Sequence, residues 1–98
     1  MQIATEIENS KLTLTVSGRI DTVTAPELEK YALEHMEGIT EMVLDLADVE
    51  YVSSAGLRAL LQIHKKMSKQ GKLKFLNIMP YVKEIFDMVG FSRIFTIE

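Results

Sequence analysis

The chain has 98 residues, 47% of them hydrophobic and 26% charged, with no Cys and no Trp, which leaves room for one small globular domain and excludes a large two-domain enzyme. Eleven Lys and Arg against 14 Asp and Glu give a formal charge of −3, so the basic footprint that nucleic-acid binding needs is missing. Without Cys there are no disulfides, thiol nucleophiles or Cys–zinc sites, and with only His35 and His64 as imidazoles neither a metal nor a cofactor is expected.

Ile3, Thr5 and Ile7 alternate with polar neighbours, and after Glu8-Asn9-Ser10-Lys11 the alternation resumes as Leu12, Leu14 and Val16. This predicts two half-buried strands joined as a hairpin, the second ending at Ser17-Gly18. From Thr24 to about Glu37 the pattern is helical: Thr24 can cap, Pro26 suits the first turn, Leu28, Ala32 and Met36 share a face, and Gly38 stops the run. Met42 to Leu46 is short and apolar, which predicts a central strand covered on both faces.

A second helix is predicted from Ser54 or Ala55 to Gly71, with Leu57, Leu60, Leu61, His64 and Met67 on one side. Leu73 to Asn77 reads as a strand. Pro80 opens a third helix whose Val82, Ile85, Phe86 and Val89 share a face, Gly90-Phe91 terminates it, and Ile94 to Ile97 reads as a short last strand. The order ββαβαβα(β) implies an α/β fold: a mixed, mostly parallel sheet with an N-terminal hairpin and three or four helices, residues 1–98 forming a single domain. No apolar run approaches the roughly 20 residues of a bilayer span, and Met1 to Glu6 lacks the basic and apolar regions of a signal peptide. A cytoplasmic protein without membrane insertion is therefore expected.

The most unusual stretch runs from Asp45 to Leu57, joining a buried strand to a helix. In open α/β sheets such turns lie at the carboxyl ends of the strands, where ligands and partners dock. Ser53 and Ser54 meet the positive end of a helix dipole there, while small Ala55 and Gly56 would allow another molecule's backbone to approach. A plain serine cap would use the same residues. Gly18-Arg19-Ile20-Asp21 brings Asp21 to the same rim, where it serves either the helix entry or a partner. Asp45 and Asp48 would extend that rim with carboxylates. Such clusters hold Mg²⁺ chiefly together with a substrate phosphate, so the rim reads as a surface offered to a nucleotide-bearing partner.

Gly18-Arg19-Ile20-Asp21, Thr24-Ala25, the stretch from Asp45-Leu46 to Ser54-Ala55-Gly56-Leu57, and Pro80-Tyr81-Val82 leading to Phe86 and Gly90-Phe91 together resemble a stand-alone STAS domain of the anti-sigma-factor antagonist type. The resemblance spans nearly the whole chain. It implies a STAS fold and a protein that binds an anti-sigma factor with serine kinase activity, so releasing a sigma factor. It further implies phosphorylation by that kinase at Ser54 and resetting by a serine phosphatase. Asp21, Thr22, Ser53, Ala55 and Gly56 would then be the partner-binding residues around the modified serine. One departure stands out: the position before the phosphorylated serine is typically Asp in these antagonists, and here it is Ser53, which removes a charge and adds a second hydroxyl.

Catalysis finds little support. The Gly-x-Ser-x-Gly elbow of a hydrolase is absent, since Tyr51-Val52-Ser53-Ser54-Ala55 lacks the first glycine. His64 lies about 15 Å along the same helix from Ser54, whereas a general base must come within about 3 Å. Gly71-Lys72 has neither the upstream glycine nor the following Ser or Thr of a phosphate loop. Lys65, Lys66, Lys69, Lys72 and Lys74 read as a solvated helix face and its turn, and His64 as a packed core histidine. A non-enzymatic binding module is expected. The competing reading keeps the fold and changes the partner to another protein, such as the ATPase of a lipid-transport complex.

Overall fold

A computed structural model describes all residues from Met1 to Glu98. Its elements are β1 (Gln2–Glu8), β2 (Lys11–Ile20), α1 (Ala25–Glu34), β3 (Glu41–Val52), α2 (Ser54–Ser68), β4 (Lys72–Leu76), α3 (Pro80–Met88), a 3₁₀ turn at Phe91–Arg93 and β5 (Thr96–Ile97). The five strands lie in sequence order in one sheet. β1 and β2 are antiparallel and every other neighbouring pair is parallel, as the strand–helix alternation predicts. The hairpin turns at Asn9, whose φ of 57° is a left-handed conformation that Asn tolerates better than most side chains.

Two strands run further than their hydrophobic periodicity indicates. β2 continues past Gly18 to Ile20, with breaks in register after Thr15 and after Gly18, and Gly18 supplies a φ of 99° that a side chain would strain. β3 continues from Leu46 to Val52, paired with β2 as Ser17↔Asp48, Gly18↔Val49, Arg19↔Tyr51 and Ile20↔Val52. β4 ends opposite Asp45. The carboxyl halves of β2 and β3 therefore extend beyond β4 as a two-stranded arm, and the connection from β3 to α2 is Ser53 alone.

α1 is shorter than expected, ending at Glu34 instead of Glu37. Met36 and Ile39 are buried in the turn beyond it, and the Gln70 side-chain amide donates to both their carbonyls at 2.7 and 2.6 Å. Tertiary bonds hold this segment in place of a last helical turn. Gly71 answers to close packing: a Cβ there would lie 2.0 Å from the Thr40 carbonyl oxygen.

The core is one cluster to which all three helices contribute: Leu28 and Ala32 from α1, Ala59, Leu60, Ile63 and Met67 from α2, and Val82 and Phe86 from α3. They meet Leu12, Leu14 and Val16 of β2, Met42, Leu44, Leu46, Val49 and Val52 of β3, and Leu73 and Phe75 of β4. The helices cover one face of β3, and on the other only Val43 is buried. Its neighbours on that face, Glu41 and Asp45, are partly buried and share it with Lys72 and Lys74, so the expected double cover is confined to Val43 and that side of the sheet otherwise carries charge. In α2 the most buried stripe is Gly56, Ala59, Leu60, Ile63 and Met67; Leu57, Leu61 and His64 sit at its margin, half-buried.

Candidate functional site at the ends of β2 and β3

The register Ile20↔Val52 delivers Asp21 and Ser53 side by side as the two parallel strands end. The Ser53 amide donates to the Ile20 carbonyl at 2.8 Å, closing the last rung of the arm. Ser53 has extended backbone and its Oγ accepts from the Gly56 amide at 3.2 Å, which is the geometry of a serine N-cap. Its carbonyl accepts the Leu57 amide at 2.8 Å. Ser54 is the first residue of α2, is exposed, and its hydroxyl makes no hydrogen bond to the rest of the chain. The two serines are thus divided: Ser53 holds the helix and Ser54 faces outward.

Asp21 does the equivalent work for α1. Its Oδ1 accepts from the amides of Val23 and Thr24, both at 3.0 Å, and its carbonyl accepts the Ala25 amide at 2.8 Å. These charge-assisted bonds, the one from Thr24 foremost, hold its carboxyl below the ordinary carboxylate range, with a smaller contribution from the Arg19 guanidinium. Thr24, expected as the cap, makes no side-chain cap bond; its hydroxyl accepts from the Asp21 amide at 2.9 Å and donates to the Arg19 carbonyl at 2.7 Å. Arg19 stacks its guanidinium 4.4 Å from the centre of the Tyr51 ring and lies 3.9 Å from the Asp21 carboxylate.

Not all of the expected rim assembles. Asp45 and Asp48 lie within β3, at the levels of Leu76 and Ser17, well short of the strand end. The Asp45 carboxylate accepts from the Ala47 amide at 3.0 Å and from the Asn77 side chain at 3.1 Å, so it shapes the strand irregularity and the turn after β4. No group of three or more His, Cys, Asp or Glu residues with metal-binding spacing occurs.

Gly56 has a packing role besides the one its size suggested. It is buried, and a Cβ there would lie 2.6 Å from the Ile20 carbonyl oxygen and 2.9 Å from both the Ile20 and Val52 side chains. Its missing side chain lets α2 press onto the arm. Ala55 is half-buried and, with Arg58 and Ala59, faces Ala25, Pro26 and Leu33 across a shallow groove between α2 and α1.

Thr22 is exposed, and beside it Val23 is 74% exposed, an apolar side chain held next to Asp21 that periodicity does not single out. A β-branched residue inside a polar turn, serving no helix or strand face, was its only sequence signal. With Thr22 and Val23 on the β2 side and Ser54 on the β3 side, the strand ends present a small mixed surface with two unengaged hydroxyls, those of Thr22 and Ser54. A family model for the STAS domain matches residues 2–98.

The chain belongs to the STAS domain family. It is 32% identical over 99 residues to BtrV of Bordetella bronchiseptica, which carries the name of an anti-sigma factor antagonist, across 99% of this chain and 85% of that relative. It is 28% identical over 101 residues to the anti-sigma-B factor antagonist of Bacillus subtilis, across 100% of this chain and 93% of the relative. Among solved structures, an anti-sigma factor antagonist from Mycobacterium paratuberculosis superposes with a TM-score of 0.87 at 27% identity, over 98% of this chain and 83% of that one. The STAS fold, with its N-terminal hairpin and mostly parallel sheet, is thus the one expected from the motifs. No helix is long and apolar enough to cross a membrane.

Proposed function

We propose that the chain is a switchable binding module, an anti-sigma-factor antagonist acting as a single domain in the cytoplasm. It binds an anti-sigma factor that is also a serine kinase, so freeing a sigma factor; phosphorylation at Ser54 breaks the complex and a serine phosphatase resets it. An anti-sigma factor as partner is supported by the names of its relatives in Bacillus subtilis and Bordetella bronchiseptica. The observation that carries the site is the division of labour between the serines: the Ser53 hydroxyl is bound to the Gly56 amide, whereas Ser54 is exposed and unengaged.

A phosphate there brings about −1.5 to −2 charges to a helix N-terminus, where anions are favoured by a few tenths to about 1 kcal/mol, so the fold tolerates it. The switch acts at the interface instead. Desolvating a dianion against a partner costs several kcal/mol, and at about 1.4 kcal/mol per tenfold binding weakens by roughly two orders of magnitude or more. The serine before the modified position, where these antagonists typically have Asp, leaves the cap intact, because Ser and Asp both cap well.

The test is to mix the purified chain with its candidate kinase and ATP and map the phosphate by mass spectrometry. Labelling confined to Ser54 and lost in Ser54→Ala is expected. Undiminished labelling of Ser54→Ala would remove the site assignment, and recovery of a transporter ATPase instead of a kinase by the immobilised chain would replace the partner.

A further inference from the structure

We propose that Arg58 is the internal partner of the phosphate on Ser54. This rests on the reading of Ser54 as the modified residue and adds what the modified surface does next. Three cations border the site, Arg19 beside Asp21 and Lys30 and Arg58 in the groove between α1 and α2, and two are already engaged. Arg19 is stacked on Tyr51 and lies beside Asp21, and Lys30 lies 3.8 Å from Glu34. Arg58 is exposed and joins no ion pair.

Its position suits the role. Ser54 and Arg58 stand four residues apart on α2, a spacing that sets Cβ atoms about 5–6 Å apart on one face, with the anion N-terminal to the cation in the favourable order. Helical side chains tilt toward the N-terminus, so the Arg58 stem leads back toward Ser54. Ala55 and Ala59, which border the groove together with Arg58, are too small to obstruct that path. A phosphate dianion takes two parallel N–H bonds from a guanidinium, and such charge-assisted bonds are stronger than neutral ones.

The pair changes the groove between α1 and α2 as well as the Ser54 edge. Before modification the charges lining that groove balance, Lys30 and Arg58 against Glu29 and Glu34. After it, Arg58 is occupied by the phosphate and no longer available to a carboxylate on a partner, and the groove carries a net negative charge. One modification thereby alters two adjoining parts of the surface.

The test uses the full chain with phosphoserine installed at position 54 by genetic encoding, so that no kinase is required. The second ionisation of the phosphate is followed by ³¹P NMR against pH. In the parent chain its midpoint is expected about 0.3 pH unit or more below that in Arg58→Gln, the size of an exposed helix ion pair. Arg58→Lys is expected to keep part of the shift, and Lys30→Gln all of it. The Arg58 Nε–H resonance is expected to titrate with the phosphate midpoint. Coincident midpoints in the parent chain and Arg58→Gln would overturn the proposal, as would a shift lost in Lys30→Gln instead. A kinase that leaves Ser54 unlabelled would remove the switch while leaving this titration unchanged.

Discussion

At the scale of single residues, the site is a set of side chains with separate jobs. Ser53 caps α2, and Ser53→Ala is expected to cost about 1 kcal/mol, read as a fall in Tm of about 4–8 °C for a chain of this size. Ser54→Ala removes an exposed, unbonded hydroxyl and is expected to change stability by less than about 0.5 kcal/mol. Finding the larger loss in Ser54→Ala would reverse the two assignments. Asp21 has a carboxyl held below its ordinary range in the folded state. Its contribution to stability is therefore fully present above the unfolded carboxylate pKa near 3.9 and is lost as pH falls through the lower folded value. Carbon-detected NMR of the side-chain carboxyl is expected to give a midpoint below the ordinary aspartate value near 3.9, and Asp21→Asn is expected to flatten the acid limb of the stability curve.

At the scale of elements, the junction of the arm and α2 has no spare volume. Gly56→Ala forces a methyl group against the Ile20 carbonyl and the Ile20 and Val52 side chains. An overpacking loss of about 1–3 kcal/mol is expected, measured by urea unfolding, and an unchanged midpoint would mean that α2 can move off the arm freely. This contact also marks where sequence reading stops. The start of α2 at Ser54, the hairpin and the three helices are legible because capping, alternation and the 3.6-residue period are local signals. The inward role of Gly56 is not, because the carbonyl it meets belongs to a strand far away in the chain. Asp45 and Asp48 read as rim residues because the apolar run that predicts the central strand stops at Leu46, whereas β3 runs on to Val52 past the register break opposite Thr15 and Ser17. The same irregularity hid the second half of β3. The early end of α1 likewise depends on Gln70, whose bonds to Met36 and Ile39 no local pattern announces.

At the scale of the whole molecule, the last elements are tied down by aromatic rings. Phe75 lies 5.7 Å from Phe86 edge-on and 4.6 Å from Phe95 in a stack, and Phe91 lies 4.8 Å from Phe95. Phe86 is fully buried, so Phe86→Ala is expected to cost about 3–5 kcal/mol, enough to abolish the cooperative transition of a small domain at 37 °C. His64 packs against Phe95 at 5.1 Å with its Nδ1 buried and unpartnered, and desolvation lowers its pKa. The neutral ring is the form that fits. Stability is expected to be full above the unfolded histidine value near 6.5 and to decline as pH falls through that value toward the lower folded one. Urea midpoints between pH 7.5 and 5 would follow this decline, and His64→Leu would lack it.

The carbonyl oxygen of Ile20 receives the Ser53 amide and bears the weight of Gly56. One peptide unit is thus the joint of β2, β3 and α2, a single residue before Asp21 and beside Ser54. No pliable linker separates the surface offered to a partner from the frame behind it. Under the proposed function a partner would meet a rigid corner at Ser54, so contact free energy there would not be spent on ordering a loop, and a change at one hydroxyl would decide the fit.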